Sequence, residues 1–101
     1  MADENGENRA GLGLTKAGPA LVLCDEKGQI RSSLAVGNDA TKLQISDANG
    51  KDRVGLALDK NGPSLGLFDE KGGPRIGLGV NRAGLVLILL DESGQVVWKA
   101  P

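Results

Sequence analysis

The chain has 101 residues, with 12 lysine and arginine side chains against 13 aspartate and glutamate, so its formal net charge is −1. This length allows one small domain, and a pI near 5.3 gives no basic excess of the kind that binds nucleic acid. The chain has no histidine and no tyrosine, and its single cysteine cannot form an intrachain disulfide. Its polar first residues predict no signal peptide, and no stretch is apolar enough to span a membrane, so we expect no membrane contact by this segment.

Arginine, aspartate and glycine recur at a constant spacing of 22 residues, which is typical of repeat architectures. The arginines stand at positions 9, 31, 53 and 75, the aspartates at 25, 47, 69 and 91, and the glycines at 28, 50, 72 and 94. The spacing predicts a truncated repeat turn at residues 1–8, a repeat region at 9–96 and a C-terminal cap at 97–101. The repeat region divides into four units, 9–30, 31–52, 53–74 and 75–96.

Each unit carries two short leucine-rich segments separated by turn residues. The leucines alternate with other residues at period two, as in Leu12/Leu14 and Leu21/Leu23, which predicts strands with one buried face. The segments that begin at Asp25, Asp47, Asp69 and Asp91 end in glycine three residues later, which is typical of tight turns. No helical periodicity is present. Each unit therefore predicts two strands and two turns.

Short turns favour antiparallel hairpins, so we expect an all-β antiparallel meander of eight strands. A two-sided β-solenoid, with equivalent strands stacked in parallel, would also give repeats without insertions. A single sheet with one leucine face must close into an eight-strand barrel, fold into two layers or pair with other subunits to cover that face. The scarcity of aromatic residues favours a homotrimeric β-prism, in which three leucine faces share one axis.

Small residues occupy the positions that alternate with the leucines and predict a second face that another surface can approach closely. They are Gly11, Gly13, Ala20, Ser33, Ala35, Gly55, Ala57, Ser64, Gly66, Gly77 and Gly79. In the fourth unit Val86, Ile88 and Leu90 make this face apolar as well, so we expect that strand to be buried on both faces. In the second unit Lys42, Gln44 and Ser46 predict a strand that faces water.

No residue cluster predicts catalysis, cofactor binding or metal binding. The ladder of Arg9, Arg31, Arg53 and Arg75 would suit an anionic glycan, although pairing of each arginine with a repeat aspartate is the more economical interpretation. The aspartate turns lack the alternating oxygen ligands of calcium loops. Cys24 has no histidine to activate it and predicts a packed thiol. Trp98 and Phe68 could form a sugar-stacking platform, but a terminal tryptophan more often covers a core.

The combined pattern of Arg-x-x-Leu-x-Leu, Gly-Pro-x-Leu-x-Leu-x-Asp-x-x-Gly and a closing Val96-Val97-Trp98-x-Ala100-Pro101 is similar to repeat regions of uncharacterised bacterial proteins. The resemblance covers residues 3–101. In many of those proteins the repeats follow a membrane anchor and a coiled coil, so the resemblance implies an architecture and no activity. A coiled-coil stalk would suit a trimeric head.

These observations predict a structural or interaction module that self-associates and is not an enzyme. The alternative is a module that binds glycans or another polymer through its repeated arginine and aspartate edges. No cofactor is expected, and the sequence indicates no cellular compartment.

Overall fold

The computed structural model describes all residues from 1 to 101 and forms one antiparallel sheet of nine strands, with no helix. The strands are β1 (Ala10–Thr15), β2 (Gly18–Cys24), β3 (Ile30–Val36), β4 (Ala40–Ser46), β5 (Asp52–Asp59), β6 (Gly62–Phe68), β7 (Pro74–Asn81), β8 (Gly84–Leu90) and β9 (Val96–Ala100). They pair strictly in chain order from β1 to β9. The chain forms no helix with the length and apolar character needed to cross a membrane.

The predicted antiparallel meander is confirmed, but the strand count differs by one. The ninth strand forms because the C-terminal segment continues the pairing, with Trp98 opposite Leu89. The β-solenoid prediction is wrong because every neighbouring pair of strands is antiparallel. The closed-barrel prediction is also wrong because β1 and β9 do not pair and remain the two edges of an open sheet.

The two ends of the strands carry different connections. The hairpin edge comprises residues 15–18, 37–40, 59–62 and 81–84, where tight turns join β1 to β2, β3 to β4, β5 to β6 and β7 to β8. The aspartate edge lies at the opposite end and comprises residues 1–9, 25–31, 47–53, 69–75 and 91–95. Beside the aspartate edge the register shifts at Leu23/Cys24, Ile45/Ser46, Leu67/Phe68 and Leu89/Leu90, so each of the four turns that connect two strands there does so through a bulge.

The sheet has no hydrophobic core. Ser46 is the only buried residue of the chain, and no hydrophobic side chain is buried. The burial of Ser46 contradicts the expectation that this residue faces water. The Ser46 hydroxyl donates a hydrogen bond to Asp52 Oδ1 at 2.7 Å across the bulge. The expectation that residues 86–90 are buried on both faces is also wrong for the single chain, because nothing covers β8 and its side chains are at most half-buried.

Candidate functional site

The pairing register gathers the apolar side chains into three rows on one side of the sheet, here called the leucine face. In the central row every strand from β1 to β8 contributes a leucine, and each lies opposite the next: Leu12, Leu21, Leu34, Leu43, Leu56, Leu65, Leu78 and Leu87. Because residues on one strand alternate between faces, a continuous pairing of leucines puts all eight on the same face.

Two flanking rows widen the leucine face towards each edge. Beside the aspartate edge the row runs through Ala10, Leu23, Ser32, Ile45, Val54, Leu67, Ile76, Leu89 and Trp98. Beside the hairpin edge it comprises Leu14, Pro19, Val36, Thr41, Leu58, Pro63, Val80 and Leu85. Ser32 and Thr41 are the only polar residues in the three rows, so the leucine face is a continuous apolar surface.

The leucine face is open to solvent in the single chain. The exposed fraction of Leu12 is 80% and that of Leu14 is 85%, since both lie on the edge strand β1. Even within the sheet, Leu56 remains 45% exposed, and Trp98 on β9 is 50% exposed. Trp98 therefore extends the apolar surface and does not cover a core. An apolar surface that spans a whole sheet is typical of a protein interaction site.

The opposite side of the sheet carries the small residues that the sequence places between the leucines. Gly55 lies opposite Gly66, and Gly66 lies opposite Gly77, which leaves a shallow strip across three strands. The Phe68 ring lies over this strip, since a Cβ on Gly66 would stand 3.1 Å from its Cε1 atom. Phe68 and Trp98 therefore lie on opposite faces of the sheet, so they do not form one sugar-stacking platform.

The aspartate edge is built from five turns with the same internal hydrogen bonds, which begin at Asp3, Asp25, Asp47, Asp69 and Asp91. In the turn at Asp47, the Oδ1 atom accepts the N–H of Asn49 at 2.9 Å and that of Lys51 at 3.0 Å. The glycine at the fourth position has a positive φ, 85° at Gly50, which other residues rarely adopt. The aspartate carboxylate thus organises the turn that bears it.

The arginine ladder links each aspartate turn to the next. Arg53 Nη1 lies 3.5 Å from Asp47 Oδ2, and Arg53 Nε donates to the carbonyl of Phe68 at 2.8 Å. Arg9, Arg31 and Arg75 repeat this arrangement with Asp3, Asp25 and Asp69 and with the carbonyls of Cys24, Ser46 and Leu90. The expected arginine–aspartate pairing is thus present, except that Asp91 has no arginine partner because Val97 stands where the next arginine would be.

Sequence reasoning missed the second contact of each arginine, the bond from Nε to a strand-end carbonyl. The acceptor always lies 15 residues after the arginine, as in the bond from Arg31 to Ser46. The same spacing recurs for Arg9, Arg53 and Arg75, and this regularity was the only available signal. The Nε–H of each guanidinium is engaged by a carbonyl and its charge is paired with a carboxylate, which leaves the arginine ladder less able to hold an anion than free arginines would be.

The contacts of the aspartate edge lower the pKa values of four of its carboxyl groups, those of Asp3, Asp25, Asp47 and Asp69. The N–H donors of Lys51 and Gly73 are the main causes of the lowered pKa values of Asp47 and Asp69, and the nearby arginines add to them. The N–H of Glu7 likewise lowers the pKa of Asp3. Partial desolvation raises the pKa of Asp25, but hydrogen bonds from Gln29 and Lys27 and the charge of Arg31 outweigh it, so that this pKa is also lowered.

No other cluster of functional side chains is present. The chain has no group of three or more histidine, cysteine, aspartate or glutamate side chains placed to hold a metal ion. A depression of about 390 Å³ between two aspartate turns is lined only by polar and charged residues: Asp69, Glu70, Lys71, Arg75, Glu92 and Ser93. Cys24 is half-buried at the end of β2. The leucine face is therefore the largest feature that calls for a functional explanation.

No protein-family model matches the sequence, and no curated protein matches it. The features of the chain that bear on function are the leucine face and the two edges.

Proposed function

We propose that this chain is a structural interaction module without catalytic activity, and that it self-associates through the leucine face. The observation that carries the proposal is the absence of any buried hydrophobic side chain in the single chain. Burial of apolar surface is the dominant favourable contribution to folding, and a one-layer sheet obtains little of it. A second sheet over the leucine face would supply the missing layer.

The exposed area of the single chain supports the proposal quantitatively. The chain exposes 7467 Å², whereas a compact protein of 10.4 kDa exposes about 5,400 Å². The excess is about 2,000 Å² per chain, and the total for two chains falls within the range of obligate homo-oligomer interfaces. The radius of gyration agrees, since it is 16.0 Å against about 13 Å for a compact domain of this length.

The assembly that we favour is a homotrimeric β-prism in which three leucine faces point towards one axis. A leucine-rich face with few aromatic residues suits this arrangement, because three sheets converge there and leave little room for large rings. A self-associating prism of this kind would serve as a head or scaffold that presents the aspartate edge and the hairpin edge in a regular array.

Light scattering coupled to gel filtration, at several protein concentrations, tests the proposal. A mass of three chains that persists on dilution is the expected result, and a mass of two chains would retain self-association but contradict the prism. A monodisperse mass of one chain, with a circular dichroism spectrum typical of folded β-sheet, would overturn self-association. Binding of a glycan or another polymer would then become the favoured function. In that case melting temperature would be measured with sulfated and uncharged polysaccharides, since a ligand that binds only the folded state stabilises it.

A further inference from the structure

The dimensions of the sheet restrict how three copies can enclose one axis. The sheet measures 50 by 30 by 17 Å. Nine strands at about 4.8 Å spacing account for the longest dimension, which therefore runs across the strands. The distance from the centre of an equilateral triangle to its side is the side length divided by 2√3. If the strands ran parallel to the axis, the sheets would stand about 14 Å from it, and a wide channel would remain.

Strands that run perpendicular to the axis bring the sheets much closer. Most of the inner strands have seven residues, or about 23 Å of extended chain. A triangle with sides of this length places each sheet about 7 Å from its centre, and the full 30 Å extent of the sheet in this direction gives about 9 Å. Packed sheets normally stand about 10 Å apart, so that each one lies about 5 Å from the plane between them. Leucine side chains can fill a space of this size, whereas they cannot fill a channel of 14 Å radius.

The residue pattern across the leucine face agrees with this orientation. The midpoint of each triangle side is the point nearest to the axis, and the central row lies at the middle of every strand. This row is leucine on each strand from β1 to β8, while the flanking rows vary and include Ser32, Thr41 and two prolines. A two-layer sandwich would bury all three rows alike and would give no reason for the central row to be uniform.

The two edges of the sheet carry opposite net charge. The aspartate edge has eleven acidic and seven basic side chains, a net charge of −4. The hairpin edge has Asp39 and Asp59 against Lys16, Lys60 and Arg82, a net charge of +1. An assembly that placed two aspartate edges side by side would bring two charges of −4 together, which is unfavourable.

We infer that the partner of the aspartate edge is the hairpin edge of a second copy, in a three-fold ring whose strands run perpendicular to the axis. The inference rests on the proposed self-association. Three-fold symmetry makes every contact heterologous, so each corner of the prism joins the aspartate edge of one copy to the hairpin edge of the next. The eight central leucines of each copy then lie along the axis, and the aspartate turns contribute to every subunit contact.

Crosslinking between the two edges tests this arrangement. The native Cys24 is replaced by serine, and cysteines are introduced as Lys60→Cys on the hairpin edge and Lys71→Cys on the aspartate edge. Both positions are exposed turn residues at opposite ends of β6, about 23 Å apart within one chain. A short bis-maleimide cannot span that distance, so any crosslink joins two chains. The variants with only one introduced cysteine are the matched controls.

The expected result is a covalent ladder of two and three chains in the double variant and no crosslink in either single variant. Crosslinks in a single variant would mean that like edges meet, which overturns the inference. A ladder that stops at two chains, or a trimer by light scattering without crosslinks, would overturn it as well. A one-chain mass before crosslinking would instead overturn the proposed self-association, so the two failures are distinguishable.

Charge reversal gives a second readout of the same contact. Lys60→Glu combined with Arg82→Glu makes the hairpin edge negative, and we expect a several-fold weaker trimer whose loss is largest at low salt. Lys42→Glu is the control, because Lys42 lies on the face opposite the leucines and away from both edges. If Lys42→Glu weakened the trimer as much as the double variant at the hairpin edge, the proposed contact between the two edges would be contradicted.

Discussion

The carbonyl oxygen of Val80 lies so close to Gly62 that a Cβ built on Gly62 would overlap it. This approach brings the start of β6 against the end of β7 at the hairpin edge. Gly62 also has a φ of 123°, which residues with a side chain rarely adopt. The hairpin between β5 and β6 therefore depends on glycine for two separate reasons, its backbone conformation and the nearness of the neighbouring strand.

Replacing Gly62 by alanine separates these two reasons when it is compared with Gly84→Ala. Gly84 occupies the equivalent position between β7 and β8, with a φ of 121°, but has no heavy atom within 4 Å of its Cβ position. We expect both variants to lose about 1–3 kcal/mol from backbone strain. Gly62→Ala should lose at least about 2 kcal/mol more through the clash with Val80. Urea unfolding monitored by circular dichroism measures the difference, and equal losses would contradict the close approach.

The alternation of leucines and the chemistry of the turns were sufficient to predict the antiparallel meander, because both are local in sequence. The close approach at Gly62 recurs at Gly18, which meets the Val36 carbonyl in the same way, but Gly84 in the same repeat position has open space because β9 ends opposite Leu87. Which glycine has a neighbouring strand beside it depends on the sheet and not on the local repeat. The burial of Ser46 likewise depends on Asp52 across a bulge. The sequence predicts that one leucine face needs a cover, because the leucines alternate along every strand. It does not predict whether the sheet closes into a barrel or stays open, because closure depends on long-range geometry that no local pattern encodes.

A charge on the central row should abolish assembly. Leu65 lies between Leu56 and Leu78 in that row, so Leu65→Asp would place a carboxylate in the proposed interface and remove an apolar side chain. We expect dissociation or unfolding, at a cost above about 3 kcal/mol. The matched control is Ser64→Asp, which puts the same charge one residue away on the opposite face. Light scattering and circular dichroism would contradict the assignment of the faces if both variants behaved alike.

The unpaired turn at Asp91 provides a control for the role of the arginine ladder. Asp47→Asn keeps an oxygen that can accept the two N–H groups of the turn but removes the charge beside Arg53. Asp91→Asn makes the same change in a turn that has no arginine partner. We therefore expect Asp47→Asn to lower the melting temperature by a few degrees and Asp91→Asn to have almost no effect. The difference should shrink in high salt; equal shifts would mean that the ion pair is unimportant.

Stability should fall in acid because of the lowered pKa values of Asp3, Asp25, Asp47 and Asp69. A carboxyl group whose pKa is lower in the folded state binds protons more readily when unfolded. Its stabilising contribution is present above the unfolded pKa, about 3.9. It is lost as the pH falls through the lower folded-state value. Melting temperature measured from pH 7 to pH 2.5 should therefore be flat above about pH 5 and fall below it. A chain with all four aspartates replaced by asparagine should show a weaker fall.

The small-residue side of the sheet should tolerate larger side chains if the leucine face is the one that assembles. Gly77 lies on this side, and its Cβ position has no heavy atom within 4 Å. Threonine is favoured in strands and glycine weakens them, so we expect Gly77→Thr to leave the assembled mass unchanged and to raise the melting temperature slightly. Gly79→Phe tests the same face with a bulkier ring, although its Cβ would stand 3.3 Å from the Pro63 carbonyl oxygen, so some loss of stability is expected. Dissociation of the folded Gly77→Thr variant would show that the small-residue side also lies in an interface, because a side chain that meets only solvent cannot separate subunits.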